Sequence, residues 1–399
     1  MNSYIGSNGT FELMRNLNLE KIYRLILLNQ PVSRVQLSNL AGLNKMTVTN
    51  CVDFLLEKGI VHELGVSGTR GRPATMLSIN GESGVLVGIE MNIPSIRVIV
   101  TDLAGVILEN IILPDTGPEP KAFVQKISET ITMLKERYTH RRLGLVGVGM
   151  AFSGHYNQQT GVIEFLSNRQ TWNHFPIREE LRKCHLGVPI FIQSAMQASA
   201  MGEIHFGNAN PDEYVVCITG TWGINASMYS NGTLLSGYQG FAGRFGHTVI
   251  EVNGRQCMCG NKGCLEEYAS IRALFHKLYP GQLQHQKYID EIFERVREKD
   301  PVVITALKEM MPYLAIGIVN LINTFNPTRV CIGGNLGLII NDCMLYQLKA
   351  NIVKMLPEHY SRHLDICCSS LGVLGVAYGG VAVVRDKLIS ILSEAEGKD

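Results

Sequence analysis

Residues 243–270 read GRFGHTVIEVNGRQCMCGNKGCLEEYAS. One histidine and three cysteines, His247, Cys257, Cys259 and Cys264, stand at the spacing H-x9-C-x-C-x4-C. One imidazole and three thiolates make a closed tetrahedral donor set for Zn²⁺, with no open position for catalysis. The Cys-x-Cys-Gly-x-x-Gly-Cys run allows a tight, glycine-turned knuckle that aims the sulfurs inward, so a structural zinc is expected. The competing reading is four unconnected buried residues. Thiol redox chemistry in the cluster is disfavoured because it contains no Cys-x-x-Cys pair.

The surrounding chain is globular in character. Its 399 residues suffice for two or three domains, and 46% hydrophobic content with 18% charged residues argues against disorder. The other seven cysteines sit in apolar contexts such as VVCITG and RVCIGG, as small buried residues of a reducing compartment do. The opening MNSYIGSNGTFELMRN is polar, and no apolar run approaches eighteen residues without a charge or glycine break. Neither a signal peptide nor a membrane partner is therefore expected, and the expected location is cytoplasmic. Residues 1–80 carry eight basic and five acidic side chains, a mild excess that permits nucleic-acid binding without proving it.

In the first eighty residues, Leu19, Ile22, Leu25, Ile26 and Leu28 fall on a helical stripe. A short helix follows, with Ser33 as its expected N-cap and Gly42 at its end. Asn44 then caps a second helix whose Val48, Val52 and Leu55 form a buried stripe. Lys45, Thr47, Thr49 and Asn50 are left on the opposite side, near that helix's N-terminal half. Two helices joined by a tight turn, with small polar residues opening the second, form the pattern of a helix-turn-helix. Residues 60–80 alternate around a basic, glycine-rich tip, as a two-stranded wing would. Arg34, Lys45, Thr47, Thr49, Asn50, Arg70 and Arg72 are the expected contacts to double-stranded DNA. Asn50 suits an adenine edge, and the wing arginines suit phosphate or a narrow minor groove. The alternative is a helical protein-interaction module with solvated arginines.

The remaining three hundred residues alternate strand and helix. Residues 84–108 read as two strands around a turn, with the hairpin signal at Asp102-Leu103-Ala104-Gly105. A strand–turn–strand unit recurs at 214–237, and helix closes the chain at 371–392. Two α/β lobes facing a cleft are expected. Neither a Walker-type nor a dinucleotide-type glycine loop is present in the sequence.

Taken with the helix-turn-helix and the strand unit, Gly246-His247, Cys257, Cys259-Gly260, Gly263-Cys264 and Glu266 resemble the ROK family of repressors and sugar kinases. The resemblance runs from about residue 15 to 390 and is greatest for the repressor branch. It implies an α/β architecture: an N-terminal winged helix-turn-helix followed by a two-lobed actin-like or hexokinase-like ATPase fold. The implied units are residues 1–80, 81–206 and 207–382, with a C-terminal helix near 383–396 packing back on the second unit.

Against the kinases of that family, three stretches depart from pattern. Their first phosphate turn, Asp-x-Gly-x-Thr, is here Glu90-Met91-Asn92-Ile93-Pro94, and proline removes an N–H donor. Their second, glycine-rich turn is Gly220-Thr221-Trp222-Gly223-Ile224-Asn225-Ala226, whose tryptophan is expected to fill nucleotide space. Their Glu-Asn-Asp-Ala-Asn is Gln193-Ser194-Ala195-Met196-Gln197, which puts alanine where the catalytic base belongs. A general base contributes roughly 10²–10⁴-fold, so no phosphotransferase activity is expected.

The resemblance also implies an effector pocket around Gly154, Asn168, Ser194, Arg244, His247 and Glu266, with Trp172 following Asn168 at the family spacing. Arg244 replaces a family glutamate. It either turns the pocket toward an acidic or phosphorylated sugar, or pairs with Glu266 or another carboxylate in a pocket that no longer binds sugar. The expected function is a sugar- or sugar-phosphate-controlled repressor, acting as a homodimer or dimer of dimers on operator DNA. The alternatives are a sugar kinase with an added DNA-binding domain, and a regulator whose effector is a protein.

Overall fold

The computed structural model describes residues 7–67, 74–92, 95–166, 169–211, 213–230, 232–238, 240–282 and 286–396. Helix α1 (Ser7–Asn29) begins well before the expected residue 19. Leu19, Ile22, Tyr23 and Ile26 are its buried stripe, whereas Leu28 is exposed, contrary to expectation. Two residues past Ile26, it lies about 200° around the helix from it, on the side away from the core. Strand β1 (Val32–Ser33) leads into α2 (Arg34–Ala41). There the Ser33 side chain accepts the Gln36 N–H while the Gln36 side chain accepts the Ser33 N–H, a reciprocal capping box. Gly42 ends the helix at φ 63°, a conformation with little cost for glycine. Asn44 then accepts the Thr47 N–H at 2.8 Å and starts α3 (Lys45–Glu57), which buries Val48, Cys51, Val52, Phe54 and Leu55. Strands β2 (Val61–Ser67) and β3 (Ala74–Ile79) close the module as an antiparallel hairpin, with β1 on the outer side of β3. Arg70 and Arg72 lie outside the described residues.

The first lobe opens with an antiparallel meander, β4 (Gly84–Asn92), β5 (Ser95–Asp102) and β6 (Ile107–Pro114). The expected two strands are thus three, and the Asp102–Gly105 turn joins the second to the third. The earlier reversal, between β4 and β5, carries no Asn-Gly or Gly-Gly signal in the sequence. After α4 (Pro120–Arg137) come β7 (Gly144–Phe152), β8 (Gly154–Asn157), β9 (Val162–Leu166), α5 (Ile177–Lys183), β10 (Ile190–Ser194) and α6 (Ala195–Phe206). The main sheet has the order β10-β7-β4-β5-β6, with β7 and β10 parallel to β4.

The second lobe repeats the plan. Strands β11 (Val215–Gly220), β12 (Ile224–Ser230) and β13 (Thr233–Leu234) precede the cysteine loop, α7 (Ile271–Leu278), α8 (Gln286–Arg297) and α9 (Pro301–Phe325). Strand β14 (Arg329–Gly333), α10 (Gly334–Cys343), α11 (Leu345–Met355), α12 (Glu358–Ser361) and β15 (Asp365–Cys368) complete it. The sheet order β13-β12-β11-β14-β15 again sets an antiparallel hairpin beside parallel crossovers. Helix α9 is long and apolar enough to cross a membrane, with mean hydropathy 1.6. Its Leu314, Ala315, Ile318 and Ile322 are core residues of this lobe, which accounts for the apolarity.

The chain returns to the first lobe through α13 (Gly375–Asp386) and α14 (Leu388–Glu396), starting earlier than the expected residue 383. Helix α13 lies backbone-to-backbone on its neighbours. A Cβ at Gly379 would stand 1.8 Å from the Ala198 carbonyl oxygen, and one at Gly149 would stand 2.0 Å from that of Gly380. Only glycine permits such an approach. Helix α14 packs on α1, and one apolar core runs unbroken from Leu19, Ile22 and Leu55 to Leu86, Val381, Leu388 and Ile389.

Candidate metal group, cleft and nucleic-acid interface

The cysteine loop is built on short β-bridges, Val249 with Cys264 and Gln256 with Lys262. The Cys257 N–H donates to the Asn261 carbonyl at 2.8 Å. Gly263, at φ 75°, lies so close to Glu251 that a Cβ would meet its carbonyl oxygen at 1.7 Å. These constraints bring the ligand atoms of His247, Cys257, Cys259 and Cys264 within 4.8 Å of one another, an arrangement that could hold a metal ion. The Cys259 and Cys264 sulfurs are 3.6 Å apart, and the Cys257 sulfur is 3.7 Å from His247 Nδ1. Burial pushes the Cys257 thiol up to about 12 and holds the His247 imidazole below its ordinary value. A neutral imidazole suits a ligand, and a cation is what would draw the proton from so buried a thiol.

Glu266 follows immediately on the last bridge. Its carboxylate accepts the Ile224 N–H at 3.2 Å and meets Arg272 of α7 at 3.2 Å. Arg272 also bonds Glu267. The carboxylate fits beneath the β11–β12 turn because Gly223 has no Cβ; one there would lie 2.3 Å from Glu266 Oε2. The pairing of Arg244 with Glu266 left open by the sequence is therefore not what forms. Arg272 takes that place because α7 starts beside the turn, and Arg244 is exposed with no ion pair among the described residues. Arg272 lies just outside the cysteine motif, and its basic charge so near two glutamates was the available signal.

Ser194 and Ala195 sit at the junction of β10 and α6, where the Ser194 hydroxyl caps the helix by accepting the Gln197 N–H at 3.3 Å. Ala195 is buried with Ala151, Ala198 and Val376, an apolar patch whose members offer no proton acceptor. Gly154 backs onto β9, where a Cβ would approach the Phe165 carbonyl oxygen to 2.4 Å. Next to it, His155 stacks on Phe241 with centroids 3.6 Å apart, a contact between the two lobes. That pair was not anticipated; neither residue belongs to a motif. Asn168 lies outside the described residues. Trp172 is fully buried and donates to the Pro118 carbonyl at 2.9 Å, so it anchors the core. Trp222 leans on Phe275 of α7 at 5.4 Å and joins the second lobe's core. Glu90 is buried, and burial raises its carboxyl to about 7 against the opposing effect of Arg97.

The ROK family profile matches residues 86–387, more than half of the chain. This protein belongs to the ROK family. Over 386 residues it is 29% identical to the xylose repressor of Bacillus subtilis, covering 95% of this chain and 98% of that one. It is 26% identical over 323 residues to the glucokinase of Thermotoga maritima, which covers 76% of this chain. The solved structure of a ROK family transcriptional regulator, a homolog of the E. coli MLC protein, superposes with a TM-score of 0.77. It covers 96% of this chain and 99% of that one at 22% identity, a likeness of fold over nearly the full length.

The three-helix module lies outside the matched ROK span. Its α3 presents Lys45 and Asn50 to solvent, with Thr47 and Thr49 half-exposed between them. Met46, missed by the sequence reading as an apolar residue beside the stripe, is 71% exposed at the same helix start. Arg34 differs from the others. It bridges Asp53 of α3 at 3.1 Å and Glu63 of β2 at 2.9 Å, so its guanidinium braces the module.

Proposed function

We propose that this ROK-family protein is a DNA-binding transcriptional repressor whose kinase-type cleft senses a sugar or sugar phosphate and performs no phosphotransfer. The observation that carries this reading is Ala195. The first turn of α6 offers a methyl group where the family's kinases hold a proton acceptor. Glu90 supports it, because a carboxyl raised to about 7 by burial is a poorer partner for Mg²⁺ than a fully ionised one. The unpaired, exposed Arg244 favours a phosphorylated or acidic sugar over a neutral one.

In this reading the N-terminal module is a winged helix-turn-helix. Helix α3 enters the major groove with Asn50 reading an adenine edge, while Lys45, Thr47 and Thr49 position the helix. Arg70 and Arg72 engage the minor groove or phosphate, and Arg34 orients α2 against α3. Two modules of a symmetric dimer would read a pseudo-palindromic operator. The cysteine loop holds a structural zinc. Tetrahedral bonds of about 2.3 Å put two sulfurs about 3.8 Å apart, close to the observed 3.6 Å. The metal would fix the loop that carries His247 and Arg244.

Incubation with Mg-ATP and a panel of sugars, with thermal-shift titration of the same sugars and their phosphates, tests the assignment. A raised melting temperature with at least one of them and no turnover is expected. Turnover that disappears on substitution in the cleft overturns the reading. Silence across the panel removes the sugar effector. Selection of operator fragments from random DNA tests the repressor half separately.

A further inference from the structure

Three cysteines share one register position on adjacent parallel strands. Cys217 of β11 pairs with Cys331 of β14, and Cys331 pairs with Cys367 of β15. Strand side chains alternate, so all three face α6, while Val216, Val330 and Ile366 face the opposite core. Neighbouring strands run about 4.8 Å apart, inside the roughly 4.4–6.8 Å that a disulfide spans between Cα atoms. Cys217 and Cys331 are buried, whereas Cys367 is half-exposed because β15 is the sheet edge. Arg329 lies on the same side of β14, with Nη1 3.9 Å from the Cys367 sulfur. Glu213 and Asp365 hold that guanidinium at 2.8 and 2.6 Å. From α6, Glu203 faces the row, its carboxylate satisfied by the Ser369 hydroxyl at 2.6 Å and the Asn208 N–H at 2.7 Å.

We propose that Cys367 and Cys331 form a peroxide-reactive thiol pair, a modification site on the second lobe separate from the cysteine loop. The Cys367 thiolate attacks one oxygen of a hydroperoxide; the O–O bond breaks, Cys367 becomes a sulfenic acid, and the departing oxygen leaves as water after protonation. The Cys331 sulfur then attacks the Cys367 sulfur, and the second oxygen leaves as water. Two thiols and one hydrogen peroxide become one disulfide and two waters. The Cys331 thiol hydrogen bond lowers the Cys367 thiol to about 7; burial and Asp365 oppose this, and Arg329 assists it. The next residue, Cys368, faces the other way, and burial pushes it up to about 12. The hydrogen bond to Cys367 and burial hold the Cys331 thiol well above its ordinary value, so its proton must pass to the departing sulfenic oxygen as its sulfur attacks. Lower basicity costs nucleophilicity, so a thiol near 7 gains about fivefold in rate at pH 7 over an ordinary one.

The test uses the full chain with zinc bound, equimolar hydrogen peroxide, alkylation of remaining thiols and peptide mass mapping. A Cys331–Cys367 cross-link that dithiothreitol reverses is expected. Cys331→Ser should instead leave Cys367 as a sulfenic acid captured by dimedone, and Cys367→Ser should leave Cys331 unoxidised. In the unoxidised protein, Cys367 should alkylate at least about fivefold faster than Cys368 at pH 7, with a pH midpoint near 7. Oxidation confined to Cys257, Cys259 and Cys264, or a Cys367 midpoint near 9, overturns the proposal.

Discussion

Replacing Glu90 with glutamine asks whether the acidic position of the first phosphate turn still works as a carboxylate. Glu90 is buried on β4, directly across from Arg97 on β5, and its carboxyl is raised from 4.5 to about 7 by burial. A raised folded-state value means that the folded protein holds this proton more tightly than the unfolded chain. The associated stability is complete below about pH 4.5 and is lost as pH rises through about 7. Above pH 8 the wild type therefore carries a buried charge that glutamine does not. The full linkage is about 3 kcal/mol, and relaxation with water entry brings the expected gain to about 1–3 kcal/mol. For a unit of this size that is about 3–8 °C in melting temperature. The assay is paired thermal unfolding of Glu90→Gln and wild type from pH 4 to 8.5. The difference should be near zero at the acid end and grow through neutrality. A constant difference, or a wild type that gains on the variant as pH rises, shows that Glu90 is an ordinary ionised carboxylate, and removes its support for a non-kinase cleft.

Other outcomes follow from the same geometry. Cys259→Ser should abolish stoichiometric zinc in metal analysis and lower the melting of the second lobe; full zinc content with unchanged melting removes Cys259 from the ligand set. Asn50→Ala should relax base preference at one operator position by about 1–3 kcal/mol, whereas Arg72→Ala should weaken all sequences alike, as read by competition binding. Equal effects of the two on every sequence refute that division. Gly379→Ala forces a Cβ to within 1.8 Å of a backbone carbonyl oxygen, and should cost about 3 kcal/mol or more. Gly65→Ala, which meets nothing within 4 Å, should not; similar urea midpoints for the two would contradict the close helix contact.

Features decided by neighbouring residues were readable in advance. Ser33, Gly42 and Asn44 do at α2 and α3 what their chemistry suggests, and the cysteine spacing foretold four converging ligand atoms. Features decided by distant partners were not. Gly379 and Gly380 look like loose points in a terminal helix until Ala198 and Gly149 are brought against them. Glu266 was expected in the cleft, yet a turn forty residues earlier and an arginine outside the motif claim its carboxylate. The stacking of His155 on Phe241 depends on how two lobes meet, which no local pattern encodes.

The unbroken core from α1 through α14 has a consequence for engineering. A fragment ending near residue 80 would lose the contact of α14 with α1 and the part of this shared core beyond residue 80, and should aggregate rather than bind DNA. Chimeras that graft this module onto another sensor would need residues 375–396 as well, although those lie at the far end of the chain. Exchange of specificity between such proteins is then a two-piece transplant, with the last helix serving as the mounting plate for the first.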